Sequence, residues 1–225
     1  MLINFVLPSF ADYNGYSVDR PLREYGNKEM MKRPRILAFA GSLRGHSLNK
    51  RVLKTTVRGA EKAGAEVTYI DLRDYPMPIC NWDEHERDGF DRNALKLQRL
   101  LTEHDGLLVA SPEYNGSLPA ALKNAVDWTS RQSDYYERSR VFPGKVAGIM
   151  TASPGSLGGV RSLAHLRGVL TSVGVIVLPQ EIAVTFAADK FAGDGSEMTD
   201  ERTKAILEAL GAALVEMLRR MRGDD

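Results

Sequence analysis

The amino-acid sequence predicts a doubly wound α/β fold: a five-stranded parallel sheet in the order 2-1-3-4-5, with helices on both faces. Two observations carry this prediction. Most strand-length runs are apolar throughout, as expected for parallel strands that are buried on both faces. These runs also alternate with segments of helical spacing, which is how parallel strands are joined. Five strands and five helices favour this order over a six-stranded dinucleotide-binding fold.

The first half of the sheet begins with a strand, a helix and a second strand. RILAFA at 35–40 is apolar and of strand length, 47–63 has helical spacing, and EVTYID at 66–71 alternates and is rich in β-branched and aromatic residues. A loop containing YPMPICNWDEHERDG follows, and the next helix is predicted near 91–103.

The second half continues the alternation. Pro119 is predicted in the first turn of its helix, where a missing N–H costs nothing. Thr199 or Asp200 is expected to cap the final helix. The predicted elements are strands at 106–111, 145–152 and 175–178 and helices at 119–129, 160–173 and 199–221.

Residues 1–33 show neither a strand nor a helix period, although they carry several aromatic side chains. We interpret them as an N-terminal extension or arm, and residues 34–225 as a single domain. The arm either packs on its own domain or a neighbouring subunit, or is a frayed tail. MMKRP at 30–34 also resembles a natural chain start, so an upstream start codon is a further alternative.

Charge and cysteine content narrow the function classes. The net charge is +1 with both signs mixed along the chain, which disfavours a nucleic-acid or membrane partner. The single cysteine, Cys80, excludes an internal disulfide framework and is typical of a reducing compartment, so a cytoplasmic location is expected. The histidines lack metal-ligand spacing, and no metal site is predicted.

Three loops of unusual composition follow the first, third and fourth strands, and the predicted order brings them to one crevice. The first, GSLRGHSLN, has the ingredients of an anion site: serine and asparagine donors, the free N–H groups of a helix start, and Arg44. A monophosphate is the expected guest. The alternative is that Ser47 only caps its helix and Arg44 is solvated.

The second loop, SPEYNGSLP, combines a stiff Pro112, an aromatic Tyr114 and a sharp turn at Asn115 and Gly116, whose amides could face a planar polar ring. The third loop, SPGSLGG, is rich in glycine, which permits close approach of a ligand to the backbone. An ordinary strand-to-helix turn and a flexible connection are the respective alternatives.

The sequence lacks other recognisable catalytic apparatus. GxxxxGK[ST] and GxSxG are both missing, which disfavours a P-loop nucleotidase and a serine hydrolase. A flavin explains this, because its ring carries the redox chemistry while the protein supplies position and electrostatics.

Three motifs, GSLRGHSLN, SPEYNGSLPAALKNAVDW and GKVAGIMTASPGSLGGVRSLAHLRGVL, resemble the NAD(P)H-dependent FMN reductases, which include quinone, azo-dye and chromate reductases, over about 36–178. The resemblance implies a flavodoxin-like fold, homodimers or homotetramers, and hydride transfer from NADPH or NADH to FMN and then, by a ping-pong mechanism, to a small-molecule acceptor: a quinone, free flavin, azo dye or metal oxyanion. The FMN-binding residues that it implies are Ser42, Arg44, Ser47 and Asn49 for the phosphate, Pro112, Glu113, Tyr114, Asn115, Gly116 and Ser117 for the ring, and Ser153, Gly155, Gly158 and Gly159 from the third loop.

Two other functions stay open at this point. A flavodoxin-type electron carrier would also bind FMN, although such carriers are usually strongly acidic. A Rossmann-type dehydrogenase would use Asp71 to bind a ribose, but the glycine fingerprint is incomplete. Arg161, Arg167 and the linker at 131–144, which is longer than the family connection, are candidates for contact with a 2′-phosphate, but no spacing rule decides between NADPH and NADH.

Overall fold

The structure is a computed structural model that describes residues 33–193 and 197–223. The described residues, from Arg33 onward, form one compact unit. The predicted N-terminal arm lies outside the described residues apart from Arg33. Its role, and the domain boundary at 33–34, therefore stay predictions.

Five parallel strands form a single sheet in the order β2-β1-β3-β4-β5, which confirms the predicted flavodoxin-like topology. The three central strands β1, β3 and β4 are almost entirely buried because helices cover both faces. The strands are β1 Arg35–Ala40, β2 Glu66–Asp71, β3 Gly106–Ala110, β4 Val146–Ala152 and β5 Ile176–Val184.

The five predicted helices are all present. The described part of the chain adds two short α-helices, α2 (Trp82–Asp88) and α5 (Arg138–Val141), and two single-turn 3₁₀ helices at Leu72–Asp74 and Ala187–Lys190. α2 has seven residues, begins after the Asn81 cap, and is held by ring contacts between His85, Phe90 and Trp128. Such tertiary contacts leave no periodic signal, which is why this segment was predicted as a loop. The helices are α1 Leu48–Lys62, α2 Trp82–Asp88, α3 Arg92–Glu103, α4 Ala120–Thr129, α5 Arg138–Val141, α6 Val160–Ser172 and α7 Glu201–Arg222.

β5 is longer than the predicted strand at 175–178. Its pairing with β4 shifts register, since Ala147 faces Val177 whereas Ile149 faces Glu181. Pro179 lies within this irregular stretch. Because β5 is an edge strand, a residue without an N–H is tolerated there, and the strand resumes beyond it.

Alternate residues of the central strands face two separate apolar layers. On one face, the strands pack against α1 and α7. On the other, they pack against α3, α4, α5 and α6. None of the helices in the described ranges is long and apolar enough to cross a membrane.

The α1–α7 contact is unusually close, because glycine stands on both helices where they cross. A Cβ at Gly59 would lie 2.1 Å from the carbonyl oxygen of Glu208, and one at Gly211 would lie 2.2 Å from that of Thr56. This packing fixes α1, whose N-terminus carries the first loop of the candidate site.

Candidate active site

The three loops identified in the sequence begin side by side at the carboxyl edge of the sheet. The N–H of Gly41 donates to the carbonyl of Ala110 (2.8 Å), and the N–H of Ser111 donates to that of Met150 (2.9 Å). The β-ladder therefore continues one residue beyond β1 and β3. The N–H of Ser153 bonds the carbonyl of Val184 (3.2 Å), which ties the third loop to β5 as well. These contacts confirm the predicted meeting of the loops.

The first loop, residues 41–47, keeps its polar groups largely unused. Ser47 has an extended backbone at the N-cap of α1, but its side chain makes no capping bond, so the predicted alternative of a simple cap is not formed. Arg44 is exposed, and within the described residues no carboxylate pairs with it. Ser42 is buried and its Oγ accepts a long hydrogen bond from the Arg44 N–H (3.4 Å). The first N–H groups of α1 have no intrahelical acceptor, so this loop fits an anion.

Asn49 holds the first loop beside the third. Its Nδ2 donates to the carbonyl of Ala152 (2.9 Å), and its Oδ1 accepts from the N–H of the same residue (3.0 Å). Asn49 as a whole is 3% exposed. Only one amide hydrogen remains for the phosphate contact that the resemblance implies. The two hydrogen bonds that the structure shows hold the first turn of α1 against the end of β4.

The second loop contains the sharp turn predicted from its sequence. Tyr114 and Ser117 exchange two main-chain hydrogen bonds of 2.9 and 3.1 Å. Asn115 (φ 51°) and Gly116 (φ 81°) between them both have positive φ, as in a type I′ turn. The turn presents Tyr114, which is 47% exposed. The Oγ of Ser117 lies 2.9 Å from Nδ1 of His165.

Glu113 joins the second loop to the start of α6. Its carboxylate accepts from the N–H groups of Arg161 (3.1 Å) and Ser162 (3.4 Å) and from Nε of Arg161 (2.6 Å). Because Gly159, the N-cap residue, has no side chain, Glu113 provides the cap from another loop. The Arg161 guanidinium holds the pKa of the Glu113 carboxyl below its usual value. The carbonyl of Pro112 accepts the Ser162 hydroxyl (3.1 Å).

The glycines of the third loop are packed against the chain itself. A Cβ at Gly159 would lie 2.3 Å from Oγ1 of Thr151, and one at Gly158 would lie 3.1 Å from the backbone carbon of Val184. Both residues have positive φ and are buried. Gly155 is exposed, and its N–H bonds Oγ of Ser153 (3.2 Å). Internal packing thus accounts for Gly158 and Gly159, and their predicted approach to a ligand stays a prediction.

Sequence reasoning missed several residues beneath and beside these loops. The hydroxyls of Ser111 and Ser162 form a buried pair 2.8 Å apart. Oγ1 of Thr151 is buried with no hydrogen-bond partner in the described structure. Phe186 has φ 45°, and its N–H bonds the carbonyl of Gly155 (3.1 Å). A bulky residue gives no sequence signal for a left-handed backbone, and the serine pair could be found only once β3 and α6 were in place.

Large apolar side chains are exposed on the three loops, at the start of α6 and just after β5. Exposed apolar side chains gathered at one edge of a sheet favour a binding surface there. This group consists of Leu43, Tyr114, Leu157, Val160 and Phe186, and we call it the apolar rim.

The arrangement combines unused anion donors in the first loop with the apolar rim drawn from the three loops, the start of α6 and the turn after β5, which suits a molecule with a phosphate tail and a flat ring. A sequence profile described as NADPH-dependent FMN reductase matches residues 34–189, most of the chain. This chain belongs to that family. It is therefore an NAD(P)H-dependent flavin oxidoreductase with FMN as its flavin.

Known proteins support the family assignment. An NAD(P)H-dependent FMN reductase of Pseudomonas aeruginosa is 32% identical over 84% of this chain and 97% of its own length. A quinone reductase of Escherichia coli is 30% identical over 86% of this chain and 100% of its own. Among solved structures, the flavoenzyme NAD(P)H:(acceptor) oxidoreductase FerB of Paracoccus denitrificans matches with a TM-score of 0.70 and 30% identity, covering 83% of this chain and 98% of that one.

The structure also bears on the Rossmann alternative, in which Asp71 would bind a ribose. Its Oδ2 is 2.5 Å from Nζ of Lys50 and 2.8 Å from a guanidinium nitrogen of Arg73. Burial would raise the pKa of Asp71, but the hydrogen bonds from these two cations outweigh it and leave the pKa below its usual value. The Asp71 carboxylate is therefore already paired with two cations. Through Lys50 it holds the end of β2 to α1, which disfavours a role in binding a ribose.

Proposed function

We propose that this protein is a quinone reductase: it takes reducing equivalents from NAD(P)H and delivers them to quinones and other flat acceptors at one open site, in a ping-pong mechanism. The observation that carries the proposal is the pairing of unused phosphate donors in the first loop with the apolar rim. The E. coli and potato (Solanum tuberosum) relatives are named quinone reductase and NAD(P)H:quinone oxidoreductase, which supports the choice of acceptor.

The first loop would hold the FMN phosphate. Arg44 offers a planar guanidinium that pairs with no carboxylate of the described residues, and Ser42, Ser47 and the first N–H groups of α1 supply further donors. Asn49 would act by holding α1 against β4, so that these donors stay in place. A few charge-assisted bonds of about 1.5–3 kcal/mol each would suffice for micromolar affinity, which needs about 8 kcal/mol.

The second and third loops would position the ring and limit water around it. Tyr114 offers an exposed aromatic face on a turn that two main-chain bonds keep rigid. Glu113 and Ser162 fix that turn against α6. FMN supplies the chemistry when bound, because its ring both accepts and donates hydride. The chain's own contribution is therefore binding and orientation.

An open rim favours alternate occupation by the nicotinamide and the acceptor over simultaneous binding of both. Initial rates of NADPH oxidation, measured at several concentrations of a benzoquinone, test this. Parallel double-reciprocal lines are expected. Intersecting lines would mean that both substrates bind together, and would overturn the ping-pong mechanism. A protein that binds FMN but oxidises neither NADPH nor NADH with any quinone would instead be a carrier of the flavodoxin type.

We further propose that the protein works in the cytoplasm as a homodimer or homotetramer. The family resemblance supports assembly, and the single cysteine supports a reducing compartment. Light scattering on the FMN-loaded protein gives the assembly directly. A mass of one chain at micromolar concentration would contradict this.

A further inference from the structure

A cavity of about 320 Å³ lies beside the first loop, three of whose residues line it, and on the side of β1 away from the second and third loops. It runs between α1 and the edge strand β2, and the sheet order places β2 and β3 on opposite sides of β1. No residue of the second or third loop lines it. Its walls are Gly45, His46, Ser47, Lys50, Arg51, Lys54, Thr55, Arg58, Tyr69, Asp71 and Arg73, which we call the cationic cavity.

The cationic cavity concentrates positive charge in a chain whose net charge is only +1. Five lysines and arginines line it, against the single carboxylate of Asp71. Lys50, Lys54 and Arg58 are spaced four residues apart and so share one face of α1. Like charges at this spacing destabilise a helix, and cations near its N-terminus oppose the helix dipole. The first turn of α1 contains no acidic residue. Folding alone does not favour this arrangement, but an anionic ligand would.

Only part of this charge is neutralised within the described structure. Asp71 pairs with Lys50 and Arg73. No described carboxylate lies within ion-pair distance of the other three cations. Lys54 lies over the Tyr69 ring (5.8 Å) and Arg51 over the Phe191 ring (5.7 Å), contacts that leave their N–H donors free for an anion.

The arginines that the sequence offered for a 2′-phosphate are already engaged elsewhere. Arg161 pairs with Glu113. Nε and NH2 of Arg167 lie 3.0 and 2.9 Å from Glu181, and the same side chain donates to the carbonyls of Val177 and Leu178. Among the described residues, the cationic cavity therefore offers more cationic side chains without a carboxylate partner than α6, the helix that carries Arg161 and Arg167.

We propose that the cationic cavity binds the phosphate groups of a nucleotide. Arginine and lysine side chains together match two or more phosphates, and the half-buried Tyr69 ring offers an apolar wall for the remainder of the molecule. The volume lies at the low end for small-ligand sites, which favours a nucleotide over a polymer. Two sources share this chemistry: the adenosine end of NADPH and a free nucleoside polyphosphate. Only the NADPH source rests on the proposed function.

The direct test is calorimetric titration of the FMN-saturated protein, in which the first-loop phosphate site is filled. The probes are 2′,5′-ADP and ATP, each titrated at two salt concentrations. The variant Lys54→Gln/Arg58→Gln removes two exposed cations of the cavity. Lys96→Gln/Arg202→Gln removes two exposed cations from α3 and α7 and matches the change in net charge.

Binding of at least one probe is expected to weaken tenfold or more in Lys54→Gln/Arg58→Gln and less than twofold in the matched control, with FMN content unchanged in both. Equal affinity in all three proteins, or no binding of either probe to the unaltered protein at millimolar concentration, would overturn the inference. Tighter binding of an oligoribonucleotide through the same two residues would also overturn it, in favour of a polymer site.

Steady-state kinetics separates the two sources. If NADPH is the occupant, Lys54→Gln/Arg58→Gln raises the KM for NADPH about tenfold, raises the KM for NADH by a smaller factor because NADH lacks the 2′-phosphate, and leaves kcat unchanged. If a free nucleotide is the occupant, both KM values stay unchanged and ATP binds without competing with NADPH. A protein that oxidises neither nicotinamide would refute the proposed function, and the calorimetric result would still decide the cavity.

Discussion

The first loop (41–47) and the third loop (153–159) have similar sequences, since each follows a buried strand and is rich in glycine and serine. In the folded chain they differ. Arg44 and Ser47 of the first loop have few internal partners, whereas Gly158 and Gly159 of the third are pressed against Thr151 and the end of β5. Amino-acid composition alone therefore does not tell a loop that binds a ligand from a loop whose glycines are required for internal packing. What distinguishes them is whether each group already has a partner within the chain.

The largest effect on stability is expected in the third loop, where the glycines are tightly packed. Gly159→Ala would place a Cβ 2.3 Å from Oγ1 of Thr151 at a φ of 91°. Overpacking costs about 1–3 kcal/mol and a left-handed alanine about 1–2 kcal/mol more. Urea denaturation should therefore show a loss of about 2–5 kcal/mol in the free energy of unfolding.

Gly155→Ala is the control within the same loop, because its Cβ would meet only Oγ of Ser153 at 3.8 Å. Its free energy of unfolding should change by less than about 0.5 kcal/mol, as is usual for surface substitutions. Equal losses in the two variants would mean that the third loop is not limited by packing.

Asn49 is where the two loops are joined, and its removal should affect both. Asn49→Ala deletes two hydrogen bonds to Ala152 and leaves buried main-chain groups unpaired, at about 1–3 kcal/mol each. We expect a loss of about 2–4 kcal/mol in stability together with weaker FMN binding. Asn49→Asp retains the acceptor but loses the donor, so its loss should be intermediate. Unaltered stability of Asn49→Ala would show that the two hydrogen bonds between Asn49 and Ala152 do not stabilise the fold.

Substitutions in the first loop should change the affinity for FMN rather than the stability of the fold. Arg44→Ala is expected to weaken FMN about 10–100-fold, which corresponds to one charge-assisted bond of about 1.5–3 kcal/mol, and to leave riboflavin affinity within about threefold. Flavin fluorescence titration measures both, and urea denaturation of the flavin-free protein should match the unaltered chain. Arg202→Ala, on the exposed face of α7, is the matched control. Parallel weakening of riboflavin would show that Arg44 does not contact the phosphate.

The sequence predicted the sheet order and the three loops because both follow from local patterns: apolar runs, helical spacing, and polar residues directly after strands. It could not predict roles that depend on distant partners. Asn49 is 103 residues from Ala152, and Glu113 is 48 residues from Arg161. The helix at 82–88 was missed for the same reason, since its ring contacts include one with Trp128.

The smallest effect tests the link between the second loop and the start of α6. Glu113→Gln keeps the shape of the side chain but removes the charge that caps α6 and pairs with Arg161. A loss of about 0.5–2 kcal/mol in the free energy of unfolding is expected at pH 7, as for a helix cap. Because the folded-state pKa of Glu113 lies below its ordinary 4.5, the carboxylate's contribution is complete above that value and is lost as the pH falls through the folded-state pKa. Urea denaturation of both proteins at several pH values tests this. The difference in the free energy of unfolding between them should narrow below about pH 4.5. A difference independent of pH would assign the effect to the shape of the side chain rather than to its charge.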